Sequence, residues 1–557
     1  MEPKEEQESL HWADQIAKEV KNRVENDPLL SRIVNEQGCI VYDEKTPSGK
    51  IHIGSGRGWV IHDTIARALR DIGVNARFIL SSDDYDPFDA MITGIPKEFK
   101  QYLGVPFKNV PSPESGYKNF GDYYFRQATS KFPEFGINAE LESTGERYIH
   151  GDFNKAIKIA LDNADKIQAI YERYYGKQIE KLPFNPICEK CGKIGTTFAY
   201  EWDAKKEIVK YRCSEDLVKW AEGCGFEGEK SPYNGAGKLP WKVEWAAKWP
   251  TVGVVCETAG KDHFTLPAGS RVIAVAISNE IFDFPPPYPS TRTRQGEGYE
   301  FFTISGKKMS TSKDQGIGFS DATNFAPCQI LRYLLVATRP RAVIDFDPIN
   351  RNDLILLYER YDKTERLYFG VDKEENLHDL QKHKRIYQLS HIGKIPSKMP
   401  PQISFTHASM VLQAAGFNEQ YAIELLQETN KIPKKLDEED KKYLKDRLNF
   451  ARKWIDNFAS EQYKFQLQDK VLQNVGLNEK EKELFNELSK ILQHGSFTEE
   501  ELHSEFYNLC NEFGYDAKEF FKKAYLILIN KEKGPKLANF ILSIGKDRVI
   551  KLLNQIK

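Results

Sequence analysis

Thr46-Pro47-Ser48-Gly49-Lys50-Ile51-His52-Ile53-Gly54-Ser55 decides how this chain is read. Just before it, Cys39-Ile40-Val41-Tyr42 is apolar in the manner of a buried strand. Pro47, Gly49 and Gly54 break that pattern. From about Gly58 onward Val60, Ile61, Ile65, Ala68, Leu69 and Ile72 recur at helical spacing. Val74-Asn75-Ala76-Arg77-Phe78-Ile79-Leu80 then reads as a second strand. Strand, glycine-bearing loop, helix and strand make a nucleotide-binding unit. The backbone amides at the helix start, from about Gly56, approach phosphate closely, and the His52 imidazole adds a donor.

A second string, Gly306-Lys307-Lys308-Met309-Ser310-Thr311-Ser312-Lys313, lies about 250 residues on. Tyr299-Glu300-Phe301-Phe302-Thr303-Ile304 before it reads as a strand, and Gly306 opens a loop. Three ammonium groups and three hydroxyls on such a loop suit a pyrophosphate leaving group, whose charge builds in the transition state. The order of the two strings, each after a strand in its own α/β half, points to an enzyme that clamps ATP from two sides.

The 557 residues allow three or four domains with ample core, and 40% hydrophobic with 29% charged residues is a globular balance. A formal net charge of −2 neither supports nor excludes a nucleic-acid partner. The sequence carries no apolar run of bilayer length and no secretory signal pattern, so a cytoplasmic enzyme without a membrane partner is expected. Four of the eight cysteines, Cys188, Cys191, Cys213 and Cys224, fall close together. At that density in a reducing compartment they read as four thiolates of a structural Zn²⁺ site, with Gly192 and Gly225 allowing tight turns. Cys39, Cys256, Cys328 and Cys510 sit in apolar contexts and read as core.

Asp262 and His263 follow the apolar Val252-Gly253-Val254-Val255, which places them at the carboxyl end of a strand, where open α/β sheets bind ligands. Asp83, Asp84 and Asp86 end the second strand and either orient substrate or metal or form a polar strand end. Residues 156–175 are charged and helix-like. From about Asp353 the chain is rich in Leu, Ile, Glu and Lys at helical spacing and reads as all-helical, with Lys531-Glu532-Lys533-Gly534-Pro535-Lys536 as a basic turn.

The two strings resemble the signature boxes of class I aminoacyl-tRNA synthetases, written H-I-G-H and K-M-S-K-S. More narrowly, the chain resembles the class I lysyl-tRNA synthetases of archaeal type. Pro47-Ser48-Gly49, Asp83-Asp84-Tyr85-Asp86-Pro87, Gly237-Lys238-Leu239-Pro240-Trp241-Lys242-Val243, Trp249, Gly260-Lys261-Asp262-His263, Pro285-Pro286-Pro287-Tyr288, Gly534-Pro535-Lys536-Leu537 and Ile544-Gly545-Lys546-Asp547-Arg548-Val549 carry the likeness.

The resemblance implies an α/β fold: a Rossmann-type parallel-sheet catalytic domain, an inserted zinc-finger region and an all-α C-terminal anticodon-binding domain. The expected divisions are residues 1–96 and 234–350 for the catalytic halves, 97–233 for the insert with its finger at 188–224, and 351–557 for the helical region. It implies lysine activation with ATP and Mg²⁺, giving lysyl-adenylate and pyrophosphate, then transfer to the 3′-terminal ribose of tRNA(Lys), at the 2′-hydroxyl in class I. His52, Lys308, Ser312 and Lys313 are the expected catalytic residues. Pro47, Ser48, Gly49, His52, Gly54, Lys308, Met309 and Ser310 are the expected ATP contacts. Glu44, Thr46, Trp241, Asp262 and His263 are the expected amino-acid pocket.

The chain departs from that pattern in places. Glu44 stands where the family usually has Gly, Arg271 where it has Tyr, and Thr311 where it has the second lysine of the loop. Glu44 and Arg271 either pair with each other or change which amino acid fits. No metal is expected at residues 111–124, where some relatives carry a second Cys/His cluster. Three alternatives stay open: a class I synthetase for another amino acid such as glutamate, a synthetase-like tRNA-binding protein without catalysis, and a nucleotidylyltransferase that does not act on tRNA.

Overall fold

The computed structural model describes residues 10–176, 181–289, 298–308, 317–472 and 475–556. One sheet has four parallel strands, Cys39–Lys45, Ala76–Ser82, Ala139–Ser143 and Val254–Cys256, in the spatial order third, second, first, fourth. The first strand is therefore internal, and Cys39 to Tyr42 are all buried, as a parallel sheet covered on both faces requires. Helix Ile53–Asp71 covers one face, where His62 stacks on Phe78 at 5.7 Å. On the other face Ile40, Tyr42 and Ile79 join one core with Val243 and Ala247 of helix Trp241–Val252.

The first helix begins earlier than its hydrophobic spacing predicts, at Ile53 rather than near Gly56. His52 is its N-cap, with Nδ1 accepting the Ser55 amide at 3.2 Å. Gly56 and Gly58 thus lie inside the helix, and close packing explains them. A Cβ on Gly56 would sit 2.1 Å from the Phe319 ring, and one on Gly58 would sit 2.6 Å from the Tyr299 hydroxyl.

The strand expected from Tyr299 starts at Phe302 and ends at Ile304. The Tyr299 backbone is instead taken by the loop beside it: its amide donates to the Ala259 carbonyl, and its carbonyl accepts from the Lys261 amide. The helical stretch at 156–175 is two helices, Asn154–Asp162 and Ala164–Tyr175, divided at Asn163, whose side chain donates back to the Ile159 carbonyl. An antiparallel ribbon of Thr197–Asp203, Ile208–Cys213 and Glu227–Lys230 carries Cys213, and the loops beside it carry Cys188, Cys191 and Cys224.

The chain divides into two compact units. The first holds residues up to 323, 331–346 and 374–395, and the second holds 324–330, 347–373 and 396 onward. Helix Leu377–Ser390, expected in the helical tail, belongs to the first unit because Arg385 pairs there with Asp14 and Asp71 at 2.6 and 2.9 Å. The second unit is helical throughout its described residues from Asp353. One of its cores joins Leu484, Leu488, Phe506, Phe520 and Phe540. Reciprocal capping boxes start helices Glu438–Asn457, Glu479–His494 and Glu499–Glu512. In the basic turn, Lys531 donates to the Lys464 carbonyl at 2.6 Å and Glu532 pairs with Lys522 at 2.9 Å, leaving Lys533 and Lys536 exposed. Among the described residues no helix is long and apolar enough to cross a membrane.

Candidate functional site

The residues that follow the second string return to the first string, beyond the carboxyl end of the first strand. Gly318 forms an antiparallel bridge with His52. The Ile53 amide donates to the Ile317 carbonyl at 2.9 Å, and the Phe319 amide to the Ile51 carbonyl at 2.8 Å. Lys50 pairs with Asp321 at 2.5 Å. The residues just after the second string are thus bonded to the middle of the first.

The residues just before it are held by Arg57. This buried guanidinium donates to the carbonyls of Glu300, Phe301, Arg339, Pro340 and Ala342 at 2.7 to 3.2 Å. It thereby fixes the hairpin of Phe302–Ile304 and Lys307–Lys308 beside the helix. Lys308 enters that hairpin opposite Thr303. Met309, Ser310, Ser312 and Lys313 lie outside the described residues.

Alternation along the first strand sends its last side chains to two environments. Tyr42 and Glu44 point toward helix Trp241–Val252. Glu44 pairs there with Lys248 and accepts from the Thr144 hydroxyl. Lys248 also meets Glu244 at 3.2 Å. Lys238 meets Glu244 at 3.2 Å, Asp83 at 3.0 Å and Asp86 at 2.5 Å. Four carboxylates and two ammonium groups thus close on one another. Burial lowers both lysines, but the surrounding carboxylates outweigh it and hold them well above the usual lysine range. Burial raises Glu44 and Asp83, against the pull of those ammonium groups. Thr46 donates to Asp86 at 3.3 Å, and Asp84 accepts from the Ser143 hydroxyl and the Gly145 amide at 2.7 and 2.9 Å.

Asp43 and Lys45 point the other way, toward helix Ile53–Asp71. Asp43 lies 3.4 Å from His62 Nδ1. His62 is fully buried: Nδ1 donates to the Gly58 carbonyl at 2.7 Å, and Nε2 accepts the Thr258 amide at 3.0 Å. That imidazole joins helix Ile53–Asp71 to the loop running from Glu257 to His263.

Arg271 does not pair with Glu44. It meets Glu257 at 3.1 Å beneath Trp245 and Trp249, whose indole nitrogens donate to the same carboxylate at 2.8 and 2.6 Å. The departures at Glu44 and Arg271 therefore each find a separate partner. Above them Trp241, 47% exposed, stacks on Trp245 at 5.9 Å, and His263 meets both indoles edge-on. Burial lowers the His263 pKa, with Asp262 opposing, and its Nδ1 lies 2.7 Å from the Ser270 hydroxyl. Asp262 is exposed beside it in the short turn Lys261–Phe264. Of the expected pocket residues, Trp241 and His263 are in contact, while Glu44 lies on the face that closes on Lys248. Pro47 and Gly49 are buried, and Ser48 is half-buried.

At the ribbon, Cys188, Cys191, Cys213 and Cys224 converge, their four sulfurs within 4.8 Å of one another. The Cys188–Cys224 and Cys191–Cys213 separations are 3.6 and 3.7 Å. A tetrahedron with arms of about 2.3 Å to sulfur has edges near ~3.8 Å, so the four thiols fit zinc. Gly192 and Gly225 take the positive φ of 72° and 67° that the two turns need. The Gly192 amide donates to the Cys188 carbonyl, and the Gly225 amide to that of Cys213.

The sequence matches the family described as tRNA synthetases class I (K) over residues 10–393, and an anticodon binding domain over 424–557. The chain belongs to the class I tRNA synthetases. It is 30% identical to a lysine–tRNA ligase of Methanosphaera stadtmanae, over 98% of this chain and 99% of that one. It is 33% identical to a lysine–tRNA ligase of Methanocaldococcus jannaschii, over 97% and 99%. A glutamate tRNA ligase structure from Elizabethkingia meningosepticum aligns at 12% identity over 93% of this chain and 99% of that one, with a TM-score of 0.39.

Several side chains that build this class I synthetase's site escape a motif reading. Arg57 sits between Gly56 and Gly58, and an arginine flanked by small residues near a helix start was the available signal. Lys238, Lys248 and Glu257 look like surface charges in a tryptophan-rich stretch, yet all three are buried. Glu244 and Lys248 at helical spacing offered one hint of an internal pair.

Proposed function

We propose that this chain is a lysine–tRNA ligase. The observation that carries the reading is its near end-to-end match with lysine–tRNA ligases, joined to a site in which the flanks of the second string return to the first. ATP lies across the helix that starts at Ile53, contacted by Pro47, Ser48, Gly49, His52 and Gly54, with Lys308, Met309 and Ser310 from the second string. The lysine carboxylate attacks the α-phosphorus; a new O–P bond forms, the bond to the β-phosphate bridge breaks, and pyrophosphate leaves. His52, Lys308, Ser312 and Lys313 meet the charge that develops, so catalysis is positioning and electrostatics without a covalent enzyme intermediate. Mg²⁺ bound with ATP supplies further neutralisation of the phosphates.

Thr46, Trp241, Asp262 and His263 line the amino-acid pocket, and Glu44 acts on it through Lys248 and Thr144. Cys188, Cys191, Cys213 and Cys224 would hold a structural Zn²⁺, which fixes the ribbon. The catalytic halves are residues 1–96 and 234–350, the insert 97–233 meets the acceptor end of tRNA(Lys), and 351–557 reads its anticodon. The enzyme works in the cytoplasm.

Amino-acid-dependent ATP–pyrophosphate exchange, run across the twenty amino acids with and without tRNA, tests the reading. Exchange with lysine alone supports it, and exchange with glutamate or another amino acid overturns it. Metal analysis of the purified protein is expected to give about one zinc per chain, lost in Cys213→Ser.

A further inference from the structure

Lys45 ends the central strand. Its carbonyl accepts the Asp83 amide at 3.1 Å, so its backbone is fixed to the neighbouring strand end. Alternation puts its side chain on the face of Asp43, toward the helix whose N-cap is His52. The ammonium group lies within electrostatic reach of Asp43 and of His263. Burial lowers its pKa, and Asp43 opposes that shift. Lys238, Lys248 and Arg271 each have a carboxylate at 3.2 Å or closer. Among the described residues Lys45 has none within ion-pair distance, and its ammonium donates no hydrogen bond. A half-buried cation on the strand face turned to the helix that His52 caps, with no ion pair among the described residues, is placed for an anionic ligand.

We propose that Lys45 is a substrate-binding residue that takes the α-phosphate of the nucleotide, the anion under attack in the activation step. This deepens the adenylate-forming reading above and rests on it for the reaction itself. The carboxylate and the α-phosphate repel each other as they approach. An ammonium beside the α-phosphate oxygens offsets that repulsion and gains as charge builds in the pentavalent state. Lys45 exchanges no proton with either group.

The test compares AMP with adenosine, because the two differ only in the α-phosphate. Calorimetric titration of the full chain should show AMP binding roughly tenfold or more tighter than adenosine. Lys45→Met should abolish that preference while leaving adenosine binding and the thermal midpoint unchanged or raised. Lys45→Arg, which keeps the charge, should retain it. An undiminished preference for AMP in Lys45→Met overturns the proposal. So does a parallel loss of AMP binding and thermal stability in both variants, which would mark a structural role. Lysine-dependent exchange, run beside it, separates the two readings. A wild-type chain inert with lysine whose AMP preference still depends on Lys45 sinks the lysine assignment and leaves this one standing. Lysine exchange in a chain whose AMP preference ignores Lys45 does the reverse.

Discussion

The two faces of the first strand end handle charge in opposite ways. Toward helix Trp241–Val252, Glu44, Asp83, Asp86 and Glu244 are matched against Lys238 and Lys248, and every group has a partner within 3.2 Å. Toward helix Ile53–Asp71, Asp43 leans on a buried imidazole at 3.4 Å, and Lys45 stands without an ion pair among the described residues. One residue of offset along a strand separates charges closed into buried ion pairs from a cation with no ion pair among the described residues. Identity of residue type does not tell them apart, and the distinction lies in what each face packs against.

The largest effect should come from breaking the closed face. Lys238→Met leaves Asp83, Asp86 and Glu244 short of a countercharge in a dry site and should cost about 3–5 kcal/mol in denaturant unfolding. A loss below about 1 kcal/mol would mean that water reaches the cluster and that the two faces differ less than their geometry implies.

Next comes a double-mutant cycle on Glu44→Gln and Lys248→Met. The two should couple by roughly 0.5–3 kcal/mol in stability, since each single change strands the other group. Additivity would show that Glu44 is held by Thr144 rather than by the ammonium.

Arg57→Met tests how the two strings are joined. Losing five carbonyl partners should lower amino-acid activation by about 10²-fold through misplacement of the hairpin, a larger proportional change than in adenosine binding. Equal losses in both would place Arg57 in nucleotide binding itself.

The smallest effect is a pH dependence on the open side. His263 has a folded pKa below its ordinary 6.5, so it is neutral in both states above that value. As pH falls through 6.5 the unfolded chain takes up the proton first, and stability contributed above 6.5 is lost toward the lowered folded pKa. His263→Gln should flatten the thermal midpoint against pH in that window. An unchanged slope would assign the acid limb to other groups, such as His11 and His407, which burial lowers to about 4.

Much of this was legible in the residues. The strand from Cys39, the helix after His52 and the second strand follow from hydrophobic period and glycine placement, and the helical tail from its Leu and Ile spacing. The four cysteines announce their cluster because two close pairs of thiols suit the corners of one tetrahedral site. What stayed hidden depends on partners far away in sequence. The helix starts at Ile53 because His52 caps it, and Gly56 and Gly58 fall inside it because Phe319 and Tyr299 press on them. Glu44 and Arg271, which the sequence leaves either to pair or to change which amino acid fits, meet Lys248 and Glu257 separately. Helix Leu377–Ser390 joined the first unit through Arg385, a charge indistinguishable in sequence from its solvated neighbours.

The sheet order has a consequence for how the chain comes off the ribosome. Ile40 is covered on one side by Arg77, but its other neighbour is Val254. At about 5–20 residues per second, roughly 200 intervening residues take on the order of 10–40 s to be made. Throughout that interval the central strand keeps an unpaired edge, while the cysteine ribbon is already emerging. The nascent chain is therefore exposed to edge-to-edge association until Val254–Cys256 arrives, and whatever shields that edge in the cell acts before the site exists.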